Sequence, residues 1–288
     1  MLRHSTPSLS GALFGALLVL LPVAASAAPE KAGYTLFQRT PASLLRDLST
    51  DRPDLTESPY TVDAGWWQLE SDLAAYTRDH DKSRGADVKA SALSFATFNL
   101  KAGLTHRIDL QTVIETYTRV RVHDRASGRR ERASGFGDIT SRLKINLWGN
   151  DGGQTAFALM PFIKWPTNRH GLGNDSIEGG LIAPFALELP GGWSCGMMTE
   201  VDIVRNESDT GYTAEWVNTI TFSRDIAGRL GGYVELATAL VRGRDLATFD
   251  CGLTYGVSRD IQLDCGANLG LTPATEDLTL FAGLTVRF

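Results

Sequence analysis

Ionisable residues in this chain recur at every second position of segments whose intervening positions are apolar. Glu70, Asp72 and Arg78 begin the series, followed by Lys101, then Asp109, Glu115, Tyr117 and Arg119, then Arg142 and Lys144. Glu200, Asp202, Arg229, Glu235, Asp250, Asp264 and Arg287 complete it. Taking a charge out of water is costly unless it is paired or stays hydrated. A face of mixed sign therefore needs either cross-strand ion pairs or a wet bore. Such a set could line a path for small solutes, or it could be an electrostatic lattice that fills an interior.

Catalytic chemistry is poorly represented. There is no H-E-x-x-H, no G-x-S-x-G and no phosphate-binding glycine loop, and His4, His80, His106, His123 and His170 fall in the leader, turns or loops. A lipase on the outer face of a membrane barrel would need a histidine among the apolar rows, and alternation places none there. No enzyme activity, metal site or bound cofactor is expected. Cys195, Cys251 and Cys265 fit no zinc spacing, and each falls beside leucines and valines. The expected register sets Cys251 against Ala267 and Cys265 against Leu253, which leaves them unbridged.

The elements that position these residues are strands of period two. In the last, Leu278, Leu280, Ala282, Leu284, Val286 and Phe288 are apolar, alternating with Thr279, Phe281, Gly283, Thr285 and Arg287. A strand closing on an aromatic is similar to the final strand of outer-membrane barrels, and Phe288 is expected to carry the signal that the barrel-assembly machinery reads. At the other end, Arg3 and His4 precede an apolar run and Ala25-Ser26-Ala27, the pattern of a secretory signal peptide over residues 1–27. A formal charge of -5 argues against a nucleic-acid partner. Mean hydropathy of -0.10 resembles a soluble protein, yet alternation cancels the average in a membrane barrel.

Between the strands, tight connections such as Pro190-Gly191-Gly192 alternate with longer, more charged ones such as 123–137 and 166–175. Three tight ones share a motif, at Leu104–Ile108, Phe222–Ile226 and Val257–Ile261, and each is expected to be a three-residue loop. The fold expected is all-β: a closed antiparallel up-and-down transmembrane barrel of about twelve strands over residues 65–288, preceded by a non-barrel segment. A soluble lipocalin-like barrel has the same period with its faces exchanged, and a secreted β-sandwich is a further alternative. Trp67, Trp193, Phe222 and Phe288 at one end of the apolar face, with Trp165 and Tyr212 at the other, favour charges inside and lipid outside.

Residues 28–64 carry clustered acids and prolines that suit neither strand nor helix. They form either a periplasmic tail or a plug in which Asp51, Arg52, Asp54 and Glu57 pair with inward charges. The stretch Thr50 to Glu70 resembles the opening motif of the bacterial meta-pathway phenol-degradation family of transporters. Asp51, Arg52, Pro53 and Asp54, then Thr56, Glu57, Ser58 and Pro59, then Gln68 and Glu70 carry the likeness. Gly135-Phe136-Gly137-Asp138 and Lys164-Trp165-Pro166-Thr167 extend it, while Trp165 and Asn168 depart from the family's usual residues. The resemblance implies an outer-membrane channel or facilitator for small, including aromatic, solutes, with outer-membrane lipid as its surroundings. A sealed structural or adhesive barrel, and a lipase-type barrel, are the alternatives.

Overall fold

A computed structural model describes residues 31–82, 86–168, 171–206, 210–241 and 244–288. Residues 1–27, expected to be a signal peptide, and His170 lie outside these residues. Fourteen antiparallel strands form one sheet that closes on itself. They are β1 (Trp67–Asp81), β2 (Val88–Thr105), β3 (Ile108–Ile114), β4 (Tyr117–Asp124), β5 (Arg130–Gly135), β6 (Ile139–Trp148) and β7 (Thr155–Trp165). There follow β8 (Glu178–Leu189), β9 (Trp193–Arg205), β10 (Tyr212–Ala227), β11 (Leu230–Val241), β12 (Arg244–Gly256), β13 (Ile261–Gly270) and β14 (Leu278–Arg287).

β2 pairs with β3 along one half and with β4 along the other, while β5 and β6 pair with β4 and β3 in turn. Each of these pairs is one barrel stave interrupted midway, so the barrel has twelve staves. Closure runs through β1 and β14, and at the rim Trp67 and Phe288 exchange backbone bonds of 3.0 and 2.8 Å. Twelve staves, each beside its sequence neighbour, close the ring, and among the described residues β5 alone is paired on one side only, with β4.

The barrel is inside-out relative to a soluble protein. Leu110, Leu236, Leu253, Leu280, Trp193 and Trp165 are exposed, whereas Lys144, Gln111, Asp109 and Asp250 are completely buried. Cys251 stands opposite Ala267 and Leu253 opposite Cys265, so the register expected from sequence holds, and all three cysteines are free.

Two features break simple alternation. In β1 the register shifts between Asp72 and Ala74, where Ala96 of β2 takes a positive φ of 51°. In the third stave the break is residues 115–116 between β3 and β4, and Thr116 donates its hydroxyl to the carbonyls of Phe95 and Ala96. Beyond both points the inward and outward parities exchange. The turn expected at 223–225 is also displaced. β10 runs on to Ala227 and turns at Gly228 (φ 58°) and Arg229, whereas Val257 and Ile261 bound the loop where it was expected.

Candidate functional site

The inward face of most staves is polar because every second residue there is, and what meets that face is the N-terminal segment. From Arg46 to Asp63 the chain enters from the short-turn rim and returns, touching β1, β3, β6, β10, β11 and β13 on the way. Its backbone has no sheet partners of its own over the innermost turn, so barrel side chains supply them. Glu70 accepts from the N–H of Asp51, Glu235 from those of Leu55 and Thr56, Asn150 from Thr61 and Asp109 from Val62.

Charges hold its side chains. Asp51 receives Lys101 Nζ at 2.5 Å and Lys144 Nζ at 2.6 Å. Burial alone would raise the Asp51 carboxyl, but the two ammonium groups hold it well below the usual carboxylate range. Arg52 forks between Asp72 (2.6 Å) and Asp264 (2.7 Å), and Glu57 meets Arg142 at 2.5 Å. Thr56 Oγ1 lies 2.6 Å from Thr219 Oγ1 and 2.8 Å from Thr221 Oγ1, and donates to Glu235. Asp54 is pushed up to about 8 by burial and by the neighbouring charge of Glu235.

Two barrel glycines admit the segment. A Cβ on Gly283 would fall 2.1 Å from the Arg52 guanidinium, and one on Gly103 would fall 2.1 Å from the carbonyl oxygen of Asp63. Side chains at either place would exclude the segment from its seat.

The segment leaves space on both sides. Toward the long-loop rim, a cavity of about 320 Å³ is bounded by Asp51, Arg52, Asp54, Glu57, Arg142 and Phe281. Toward the short turns, cavities of about 840 and 530 Å³ are bounded by Arg46, Ser49, Thr50, Tyr60 and Gln262 among others. Residues 52–54 border space on both sides and are the partition between them.

Of the residues expected to line the interior, Glu70, Asp72, Lys101, Asp109, Glu115, Arg142, Lys144, Glu200, Asp202, Glu235, Asp250, Asp264 and Arg287 lie on the inward face. Four do not. Arg78 follows the shift in β1 and pairs with Leu278 on the outward face. Tyr117 and Arg119 follow the break at 115–116 and stand outward beside Phe95 and Leu93. Arg229 is an exposed turn residue whose guanidinium donates to the carbonyl of Val257.

A set that charge-based reasoning passed over is apolar. Met160, Ile182 and Met198 form a buried cluster on the inward face, with Phe162 and Val217 against it. The N–H of Glu57 points at the Met198 sulfur, 3.4 Å away. The sequence carried a signal for it, because β7, TAFALMPFIKW, and the middle of β8, LIAPFAL, are apolar on both faces where most strands alternate. At the long-loop rim, Asp138 accepts from the N–H groups of Thr167, Asn168 and Asn174, which ties the GFGD and KWPT motifs into one structure.

Residues 50–288 match the family model described as "Putative MetA-pathway of phenol degradation". Among solved structures, an outer membrane channel of Pseudomonas putida F1 superposes with a TM-score of 0.56 at 15% identity, covering 83% of this chain and 100% of that one. The translocator domain of the autotransporter NalP of Neisseria meningitidis gives 0.48 at 10% identity, over 77% of this chain and 88% of that one. The toluene transporter TbuX of Ralstonia pickettii gives 0.46 at 8%, over 77% and 88%. No curated protein sequence matches the chain.

Proposed function

Because the chain belongs to the family of the MetA pathway of phenol degradation, by a match that runs from the N-terminal motif to Phe288, we propose that it is an outer-membrane facilitator for small aromatic solutes. The observation that carries this reading is the N-terminal segment seated between two sets of cavities, with the Met160, Ile182 and Met198 cluster beside it. An aromatic ring gains by leaving water for an apolar, polarisable wall, and methionine sulfur makes favourable contacts with ring edges. The charges that hold the segment are matched in pairs, so a neutral solute passing them meets few isolated ions to desolvate. Movement is passive, down the gradient. The P. putida structure supports the fold, and the family supports the solute class.

In this reading the segment 46–63 is a plug, the long-loop rim faces outward and the short turns face the periplasm. A cleaved leader of residues 1–27 and delivery by the barrel-assembly machinery complete the proposal. The test is permeation by the purified full-length chain in liposomes. Phenol or toluene should enter faster than through protein-free membranes, and faster relative to a charged solute of similar size. Equal rates with and without protein would overturn the proposal. Detectable ester hydrolysis by the same preparation would favour a lipase-type barrel instead.

A further inference from the structure

The parity exchange in β1, β2 and β4 turns a row of cations out of the barrel. Cross-strand partners share a face, so the chain of pairs Leu278–Arg78, Arg78–Ser91, Ser91–Arg121 and Arg121–Arg132 fixes all of them on the side of Leu278, outward. One row further out the pairs are His80–Lys89, Lys89–His123 and His123–Arg130, and one row inward Leu93–Arg119. Arg121 directly opposite Arg132 is a like-charge pair, which destabilises a bare sheet. Lumenal cations such as Lys101, Lys144 and Arg52 all have carboxylate partners. Among the described residues, none of Arg78, Lys89, Arg119, Arg121, Arg130 and Arg132 has an ion-pair partner.

The acids nearby are otherwise placed. Asp87 is taken by His80 at 2.7 Å and by Arg125, and Glu131 by Arg129 at 2.6 Å. Asp79 and Glu131 lie on the opposite row, through Ala90 and Val122. Asp277, with Asp79 and Glu131, borders the groove of about 490 Å³ that Arg78, Lys89, Arg121, Arg130 and Arg132 line, so cations outnumber acids there.

Depth identifies what this patch meets. Trp67 stands outward at the short-turn end of β1 and Tyr76 outward nine residues later; at ~3.3 Å per residue and a tilt near 40°, they lie roughly 23 Å apart along the barrel axis. That is about the height of the apolar band, with Tyr76, Phe95 and Tyr117 as its aromatic edge. Arg78 begins two residues beyond it, at headgroup level.

We infer that this outward basic patch holds the phosphates of a phosphorylated glycolipid of the outer leaflet, with Arg78, Arg121 and Arg132 as its centre. Arginine meets phosphate through two parallel N–H donors, and several such contacts at a low-dielectric boundary neutralise charges the protein leaves uncompensated. The inference rests on the proposed orientation, with the long-loop rim outward.

The experiment measures lipid retention by the full-length protein in detergent, by native mass spectrometry. The probes are diphosphoryl lipid A, its dephosphorylated form, phosphatidylethanolamine and sodium phosphate. Diphosphoryl lipid A should bind at least tenfold more tightly than the other lipids, and the triple variant Arg78→Gln, Arg121→Gln, Arg132→Gln should lose that advantage. If the triple variant lacks the heat-modifiable gel mobility of a folded barrel, Arg121→Gln and Arg132→Gln alone should each weaken binding about threefold. Equal binding of both lipid A forms, undiminished binding by the folded variants, or displacement by millimolar phosphate would overturn the inference. Labelling of Ser127→Cys in intact cells reads the orientation separately: no labelling there, with tight binding in detergent, would sink the proposed orientation and leave the phosphate affinity standing.

Discussion

Arg52 reaches from the N-terminal segment to Asp264 in β13, 212 residues away in sequence, with Nη2 2.7 Å from Oδ1 and Nε 3.2 Å from Oδ2. This two-pronged contact, shared with Asp72 on β1, joins the segment to both sides of the closure of β14 between β1 and β13. The guanidinium fits because residue 283 of β14 has no side chain.

Breaking that contact should release the segment without unfolding the sheet. Removing one partner of a buried ion pair costs up to about 3–5 kcal/mol when the other charge is stranded, and less here because Arg52 keeps Asp72. Asp264→Ala is therefore expected to raise single-channel conductance and to expose the 51–58 region to protease, while heat-modifiable gel mobility stays that of a folded barrel. Wild-type conductance and protease resistance in the variant would speak against a locking role for the pair.

Gly283→Val tests the same seat from the barrel side. Its Cβ would occupy the place of the guanidinium, so Arg52→Ala in the same chain should relieve the clash. The expected pattern is a protease-sensitive segment in Gly283→Val, with no further increase when Arg52→Ala is added. Additive effects would show that the two residues act apart.

Glu235 gathers three donors of the segment, the N–H groups of Leu55 and Thr56 and the Thr56 hydroxyl. Hydrogen bonds to a charged group contribute about 1.5–3 kcal/mol each. Glu235→Ala should therefore loosen the segment at least as much as Asp264→Ala, as read by protease cleavage near Leu55 in the folded barrel. Cleavage no faster than in the wild type would remove Glu235 from the account.

Docking of the segment should weaken as pH rises. The Asp54 carboxyl is raised from an ordinary value of 3.8 to about 8 by burial and by Glu235, so its seated form is the neutral one. A group whose pKa is raised on docking destabilises the docked state progressively above its free pKa, and here the loss is complete near pH 8. Glu57 is also raised, by burial and by Asp51, and adds in the same direction. Asp51, held low, stays ionised throughout this window. Conductance measured from pH 5 to 8.5 should increase, and Asp54→Asn should flatten much of the rise. An increase toward acid pH would contradict the assignment.

How far the sequence reached follows from where alternation holds. Closure into twelve staves and the pairing of Cys251 with Ala267 could be read because side-chain parity and tight turns set register. Arg78, Tyr117 and Arg119 were misplaced because one irregular residue reverses every later side chain, and nothing in Asp72-Leu73 or Glu115-Thr116 marks one by type. The turn after β10 was misplaced because Ser223-Arg224-Asp225 imitates a true turn, Ser258-Arg259-Asp260, whereas Gly228 was the residue able to take the positive φ. Pairing of Asp51 and Arg52 with inward charges was one of two alternatives in the sequence. The choice between them depends on contacts such as Arg52 with Asp264, 212 residues apart, which no local pattern encodes.

The most direct measurement is reversible locking of the segment to the wall. Thr56 and Thr221 lie with their hydroxyls 2.8 Å apart, so Thr56→Cys with Thr221→Cys, in a chain whose three native cysteines are serine, should form a disulfide across the lumen. The account predicts low conductance and slow phenol entry when oxidised, both rising at least severalfold on reduction. Identical conductance and phenol entry in the two redox states, with the disulfide verified, would contradict the claim that residues 46–63 control the bore.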